Sequence, residues 1–151
     1  MKETFEIQSD IANMPLVEER LFHFCRECNV GNYHSAVSVA AMQAVENAIV
    51  HGNGSDASKN VELTFGTCRG GIFVEVADHG DGFHYEKFGQ LPSDGRSMGE
   101  GIFVMKSLAD QLIFSEGGRR VRLEFVVNGI DPVDALERVS VIQQHFAMVA
   151  A

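Results

Sequence analysis

Alternating apolar and polar residues predict five short β-strands along this chain. In residues 3–8, Phe5 and Ile7 fall on one face, and Glu6 and Gln8 fall on the other. The alternation returns in residues 61–65, 72–76 and 121–127, and a further strand begins at residues 113–114. Each strand presents one apolar face, so we expect helices to cover that side of a sheet.

Apolar residues at three- and four-residue spacing predict four helices, over about 15–30, 34–51, 102–111 and 133–149. Pro15 suits the first turn of the first helix, which we expect to end at Gly31. Asp131 and Pro132 form an N-cap and first-turn pair for the last helix. The pattern therefore predicts the α+β fold class. We expect one domain over residues 1–130, with residues 131–151 as a C-terminal helical extension packed on it.

Size and charge exclude several classes of protein. The 151 residues carry a formal net charge of −9, which disfavours direct binding to nucleic acid. No apolar run approaches the roughly 18 residues that a membrane helix needs, so no membrane partner is expected. Three cysteines are an odd count, and the N-terminus has no signal-peptide core, so we expect a reducing, cytoplasmic location.

The 15 glycines lie partly in short clusters, and residues 79–101 form a glycine-rich stretch without clear periodicity. This stretch is predicted to be a long loop, and long loops inside compact domains are usually functional. The polar residues beside these glycines are therefore the candidates for a functional site.

The first candidate segment lies on the second helix, where Gln43, Asn47 and His51 share one face at four-residue spacing. A half-buried Asn47 oxygen would suit Mg²⁺, which prefers oxygen ligands and keeps several waters. The alternative is an ordinary solvated helix face.

The second segment, residues 78–82, follows an apolar strand and reads Asp-His-Gly-Asp-Gly. The Asp78 carboxylate could accept a hydrogen bond from an exocyclic amine such as that of adenine. The alternative is a simple Asp/Gly turn. The third segment, Gly99-Glu100-Gly101, precedes a predicted helix, and its free N–H groups would favour phosphate. It does not fit the dinucleotide-binding fingerprint, because no strand precedes it.

In this order, the segments resemble the motifs of the GHKL ATPase superfamily, which includes histidine kinases, gyrase and the Hsp90 chaperones. The resemblance covers roughly residues 3–127. Residues 44–48 resemble the N box, residues 78–82 the D-x-G-x-G box, residues 99–101 the second glycine box and residues 117–118 the last box. The loop between the glycine boxes is short, and no helical domain with a phosphoacceptor histidine is evident. The chain is therefore most similar to the bacterial anti-sigma-factor serine kinases.

This resemblance implies a two-layer α/β sandwich with a mixed, mostly antiparallel sheet covered by helices. It also implies ATP and Mg²⁺ as cofactors. By position, Asn47 would hold the metal ion, Asp78 would bind the adenine amine, and Gly80 and Gly82 would line the adenine pocket.

At the phosphate end, the resemblance implies that Gly99 and Gly101 shape the site. Residues 83–98 would form a lid over ATP, with Lys87 and Arg96 as candidate phosphate contacts. The implied partners are a sigma factor, an anti-sigma-antagonist (STAS-type) domain or both, and the family also suggests a homodimer.

The chain departs from the anti-sigma kinases at two positions, and Glu100 also adds a negative charge between the phosphate glycines. Their general base is a Glu four residues before the metal-binding Asn, where this chain has Gln43. A neutral amide cannot take a proton from serine. Glu46, roughly 60° round the helix from Gln43, is the candidate substitute. The second departure is Arg119, where the family often has Thr after the last glycine pair.

Three functions follow from these observations. The first is an ATP-binding anti-sigma regulator with serine kinase activity on a STAS-type domain. The second is a non-catalytic module of the same fold that sequesters a regulatory partner. The third is a detached histidine-kinase-type catalytic domain.

Overall fold

A computed structural model of the protein describes residues 1–83, 97–127 and 139–147. The strands are β1 (Lys2–Gln8), β2 (Asn60–Cys68), β3 (Gly71–Ala77), β4 (Gln111–Ser115) and β5 (Arg120–Val126). The helices are α1 (Met14–Glu27), α2 (His34–Glu46), α3 (Ser97–Leu108) and α4 (residues 139–147). A π-helical turn (Asn47–Gly52) continues α2, and short 3₁₀ turns span Ile11–Asn13, Gly31–Tyr33 and Glu116–Gly118.

The five strands form one sheet in the order β1-β2-β3-β5-β4. Every pairing between the described strands is antiparallel, so the parallel pairing of a mixed sheet does not occur among them. Strand β5 lies between β3 and β4, which brings the ends of β3 and β5 together through the pair Ala77–Arg120. The predicted α+β fold class is confirmed. The paired ends of β3 and β5 form part of the candidate site described below.

The apolar face of the sheet packs against the helices, as the alternation predicted. Phe65 of β2 is fully buried, and its ring contacts Phe5 of β1 and Phe24 of α1 at centroid distances of 5.4 and 5.7 Å. On the opposite face, the Arg122 guanidinium lies 3.7 Å from the centroid of the Phe73 ring and pairs with Glu75. One face of the sheet thus belongs to the core, and the other carries paired charges.

Helix ends depart from the sequence prediction. Helix α1 ends at Glu27 rather than at Gly31, because Asn29 takes the left-handed conformation (φ 58°) and so interrupts the helix. Helix α3 begins at Ser97, so Gly99 and Gly101 lie in its first turns and not in a loop before it. Its close packing on α2 compensates for the poor helix propensity of glycine.

Helix α4 packs on the same core as the sheet. Val139 and Ile142 are buried, and the rings of Phe103 and His145 lie 5.8 Å apart. The predicted N-cap at Asp131 lies outside the described residues, and the division at residue 130 stays a prediction. Within the described ranges, no helix has the length and apolar character needed to cross a membrane.

Candidate functional site

A cleft opens between the end of α2 and the end of the sheet where Ala77 of β3 pairs with Arg120 of β5. It is lined by Ala44, Asn47, Ala48, His51, Gly52, Val76, Asp78, Gly82, Phe83, Met105, Phe114, Gly118, Arg119 and Val121. The apolar members come mainly from α2, α3 and three strands, and the polar or charged members are Asn47, His51, Asp78 and Arg119. This combination is typical of a site for a flat, partly apolar ligand.

The π-helical turn forms one wall of the cleft. It spans Asn47 to Gly52, and within it Ile49 is buried in the core while Ala48 is buried at the base of the cleft. Asn47, His51 and Gly52 face the cleft on the other side. Single π-helical turns inside α-helices occur frequently at functional sites, because they change the direction of side chains over a short distance.

Asp78 lines the cleft directly after β3. Its backbone N–H donates to the carbonyl of Arg119 (2.9 Å), which fixes it to β5. Its Oδ1 accepts from the N–H of Gly80 at 2.8 Å. Among the described residues, no other donor reaches this carboxylate, so it keeps acceptor capacity for a ligand.

The carboxylate of Asp78 lies directly against the Cα of Gly52. A side chain at Gly52 would overlap it, and one at Gly80 would overlap the carbonyl of Gly52. Burial is the main cause of a raised pKa for Asp78. The Gly80 N–H and the charges of His79, Arg119 and Lys59 oppose the shift.

The far wall is built from residues 82–83 and the turn before β5. Gly82 has φ +79°, which favours glycine, and a Cβ there would overlap the carbonyl of Gly117. That carbonyl accepts from the N–H of Phe83 at 2.9 Å. The Phe83 ring then meets Phe114 edge-on at 5.4 Å between centroids. Two aromatic rings therefore form one rim of the cleft.

The start of α3 approaches α2 beside the cleft residue Asn47, whereas Gln43, Gly99 and Gly101 do not themselves line the cleft. A Cβ built on Gly101 would lie 3.0 Å from Oε1 of Gln43 and 3.3 Å from Nδ2 of Asn47. Both amide side chains are half-buried and lie against this glycine, and Gly99 beside it is buried. The predicted members Gln43, Asn47 and Gly101 are thus brought together.

Other predicted residues are not brought into this arrangement. Glu46 is exposed and is absent from the lining of the cleft. Lys87 and Arg96, with most of the predicted lid, lie outside the described residues. Over the described ranges, no group of three His, Cys, Asp or Glu residues could hold a metal ion. The half-buried Asn47 amide fits Mg²⁺ only as one ligand among waters and phosphate oxygens.

The sequence did not predict three residues that line or support the cleft: Asn53, Phe83 and Phe114. Asn53 was interpreted as part of a helix stop, because Asn and Gly commonly end helices. In the structure it is 3% exposed, and its side chain accepts from the N–H of His79 at 2.8 Å. Phe83 and Phe114 gave no signal, because residues distant in the chain meet only through the pairing of the sheet.

Comparison with known proteins identifies the family. The model of the histidine kinase-like ATPase domain matches residues 7–125, from the end of β1 to the end of β5. The matched region therefore includes every residue that lines the cleft. No curated protein was found that matches the chain. The match covers well over half of the sequence and agrees with the motifs, the sheet and the cleft. The chain thus belongs to the histidine kinase-like ATPase domain family, within the GHKL superfamily.

Proposed function

We propose that this protein binds ATP with Mg²⁺ in the cleft and acts as an anti-sigma-type regulator of a protein partner. The observation that carries the proposal is the half-buried Asp78 carboxylate, with one oxygen bound by Gly80 and acceptor capacity left at the cleft. An exocyclic amine of a purine supplies the matching donor. The apolar lining and the Phe83–Phe114 rim suit the flat faces of the base.

The opposite end of the cleft suits phosphates. The first turn of α3 leaves backbone N–H groups without helical partners, and its dipole favours negative charge. Asn47 would contribute an oxygen to Mg²⁺, which neutralises phosphate charge when it is bound. Gln43 lies beside Asn47 against Gly101 and would orient a hydroxyl or water there.

The anti-sigma assignment is supported by the short spacing between the glycine boxes. We propose a STAS-type antagonist domain, a sigma factor or both as partners, and a cytoplasmic homodimer as the working form. In the kinase version, a serine hydroxyl of the STAS-type domain attacks the γ-phosphorus of ATP. The bond from that phosphorus to the β-phosphate oxygen breaks, ADP leaves, and the serine proton passes to a base.

The second candidate is a nucleotide-binding module that sequesters its partner without phosphorylating it. One observation favours it: the neutral amides of Gln43 and Asn47 are the side chains that lie against Gly101, and Glu46 is exposed and does not line the cleft. An amide cannot accept the serine proton. A detached histidine-kinase-type domain is the third candidate, and its acceptor would be a histidine.

Binding of Mg·ATP to the purified protein, measured by calorimetry, tests the proposal directly. We expect saturable binding at one site per chain, and no binding would refute the ATP assignment.

Incubation with γ-labelled ATP and STAS-type domains then separates the three candidate functions. Transfer that survives Gln43→Ala but is lost in Glu46→Ala would identify Glu46 as the base. Transfer only in Gln43→Glu would support sequestration by the natural protein, and label on histidine would support the third candidate.

A further inference from the structure

Asn53 connects three separate segments of the chain through a single buried side chain. It follows the π-helical turn and is 3% exposed. Its Nδ2 donates to Oγ of Ser9 at 2.8 Å and to the carbonyl of Asn60 at 3.1 Å. Its Oδ1 accepts from the backbone N–H of His79 at 2.8 Å. Both amide protons and one acceptor site are therefore used.

Ser9 anchors this side chain to the edge strand. Ser9 is 1% exposed, and its hydroxyl donates to the carbonyl of Lys59 at 2.6 Å while it accepts from Asn53. The orientation of the Asn53 amide is thereby fixed, with its oxygen directed at His79. A network in which every member is satisfied holds its geometry well.

The hydrogen bond to Asn53 holds the backbone of His79, the residue that follows Asp78. The peptide groups on the two sides of Asp78 are held differently: its own N–H by the carbonyl of Arg119, and the N–H of His79 by Asn53. The turn then returns to Asp78 through the N–H of Gly80. Because Gly80 also lies against the carbonyl of Gly52, the turn has little room to rotate.

We infer that Asn53 is a positioning residue: it holds the Asp78 carboxylate in the direction required to accept a hydrogen bond from the 6-amino group of the purine. The inference rests on the proposed ATP binding and adds a determinant of base selectivity outside the cleft itself. Asn53 is absent from the cleft lining, so its effect on the base passes through the residue 78–80 turn.

The ratio of affinities for ATP and ITP measures this role, because ITP has an oxo group where ATP has the 6-amine. The natural protein should prefer ATP by about 10- to 100-fold, as expected for a hydrogen bond to a charged group. In Asn53→Ala the ratio should fall toward one, chiefly through weaker ATP binding. If Asn53 had only a structural role, Asn53→Ala would weaken the binding of ATP and ITP alike and leave the ratio unchanged.

Asn53→Asp keeps the acceptor for His79 and should retain the ratio, even where the lost donors to Ser9 and Asn60 lower the melting temperature. Asn53→Ser replaces Asn53→Ala should the latter not fold, since it also lacks the amide oxygen. Ser9→Ala is the matched control: it removes one hydrogen bond of the network but leaves Asn53 bonded to the Asn60 carbonyl and the His79 N–H, so it should retain the ratio. An unchanged ratio in Asn53→Ala or Asn53→Ser would overturn this inference but not the proposed function. Absence of ATP binding by the natural protein would overturn the proposed function and the inference with it.

Discussion

At the scale of single residues, the site depends on a carboxylate held where water is scarce. Asp78 is packed between two glycine backbones, and this burial raises its pKa. Glycine at positions 52 and 80 is what allows the backbone to approach so closely. The same burial that strengthens a hydrogen bond to a ligand therefore destabilises the ionised carboxylate in the free protein.

We predict that ATP affinity depends on the ionisation of Asp78. Because its pKa is raised, acidification should weaken ATP binding at a higher pH than for an ordinary aspartate. Asp78→Asn places an amide donor opposite the purine amine, and should reduce affinity about 10- to 100-fold at neutral pH. Calorimetry across a pH series tests this, and an unchanged affinity in Asp78→Asn would show that the base is bound elsewhere.

Asp78→Asn should also stabilise the free protein at neutral pH. The folded-state pKa lies above the unfolded value, so ionised Asp78 opposes folding at pH above the folded pKa. That opposition decreases as the pH falls through the folded pKa, and it vanishes below the unfolded value. The melting temperature of Asp78→Asn should exceed that of the natural protein at pH 7, and the difference should shrink on acidification. A constant difference at all pH values would contradict the ionisation argument.

The motif residues could be predicted at this scale, because Asp78, Gly80 and Gly82 are close in the chain and have fixed spacing. Asn53 could not, because an asparagine after a helix has an equally good local explanation as a C-cap. Its function depends on Ser9 and His79, which approach it only after the sheet has formed.

At the scale of elements, the contact between α2 and α3 was the least predictable feature. Helical periodicity identified residues 34–51, but an α-helix and a π-helical turn have nearly the same apolar pattern over six residues. The glycines at 99 and 101 indicated a loop, whereas the structure includes them in α3. Local propensity was overridden there by packing between helices.

We predict that Gly101→Ala weakens Mg·ATP binding without lowering the free energy of unfolding. Alanine favours a helix over glycine by about 1 kcal/mol, and the atoms that its Cβ would meet belong to the side chains of Gln43 and Asn47. The free energy of unfolding should stay equal or rise, while displacement of the Asn47 amide weakens Mg·ATP binding severalfold. Chemical denaturation and calorimetry measure the two quantities.

Ser107→Ala is the matched control for this prediction. It also raises the helix propensity of α3, and among the described residues the Ser107 hydroxyl bonds only the carbonyl of Phe103, at 2.8 Å. Equal nucleotide affinity in Gly101→Ala and Ser107→Ala would contradict the proposed phosphate end of the cleft.

At the scale of the whole molecule, strand alternation was sufficient to predict the α+β class. Strands β1, β4 and β5 alternate between more and less exposed residues, so a period of two marks their core side without knowledge of strand order. Strands β2 and β3 also bury Thr64 and Phe73 on the opposite face. The order itself was not predictable, because insertion of β5 between β3 and β4 depends on pairing across the long segment that follows β3. The cleft exists because of that insertion.

We predict that α4 contributes to the stability of the same cooperative unit. Ile142 is 6% exposed in the core, so Ile142→Ala should lower the free energy of unfolding by about 2–4 kcal/mol. Val141, on the same helix, is 64% exposed, and Val141→Ala should change the free energy of unfolding by less than about 0.5 kcal/mol. Equal, small effects in a denaturation series would show that α4 does not pack on the domain.

The aromatic rim of the cleft has a spectroscopic consequence. The chain contains no tryptophan and only two tyrosines, so its intrinsic emission is weak and reports little about the cleft. Phe114 is half-buried, lines the cleft and contacts Phe83 edge-on. Phe114→Trp would place the sole indole of the protein against the bound purine, and stacking should quench its fluorescence on addition of ATP. A single substitution at the rim would thus convert this ATPase domain into its own optical nucleotide sensor.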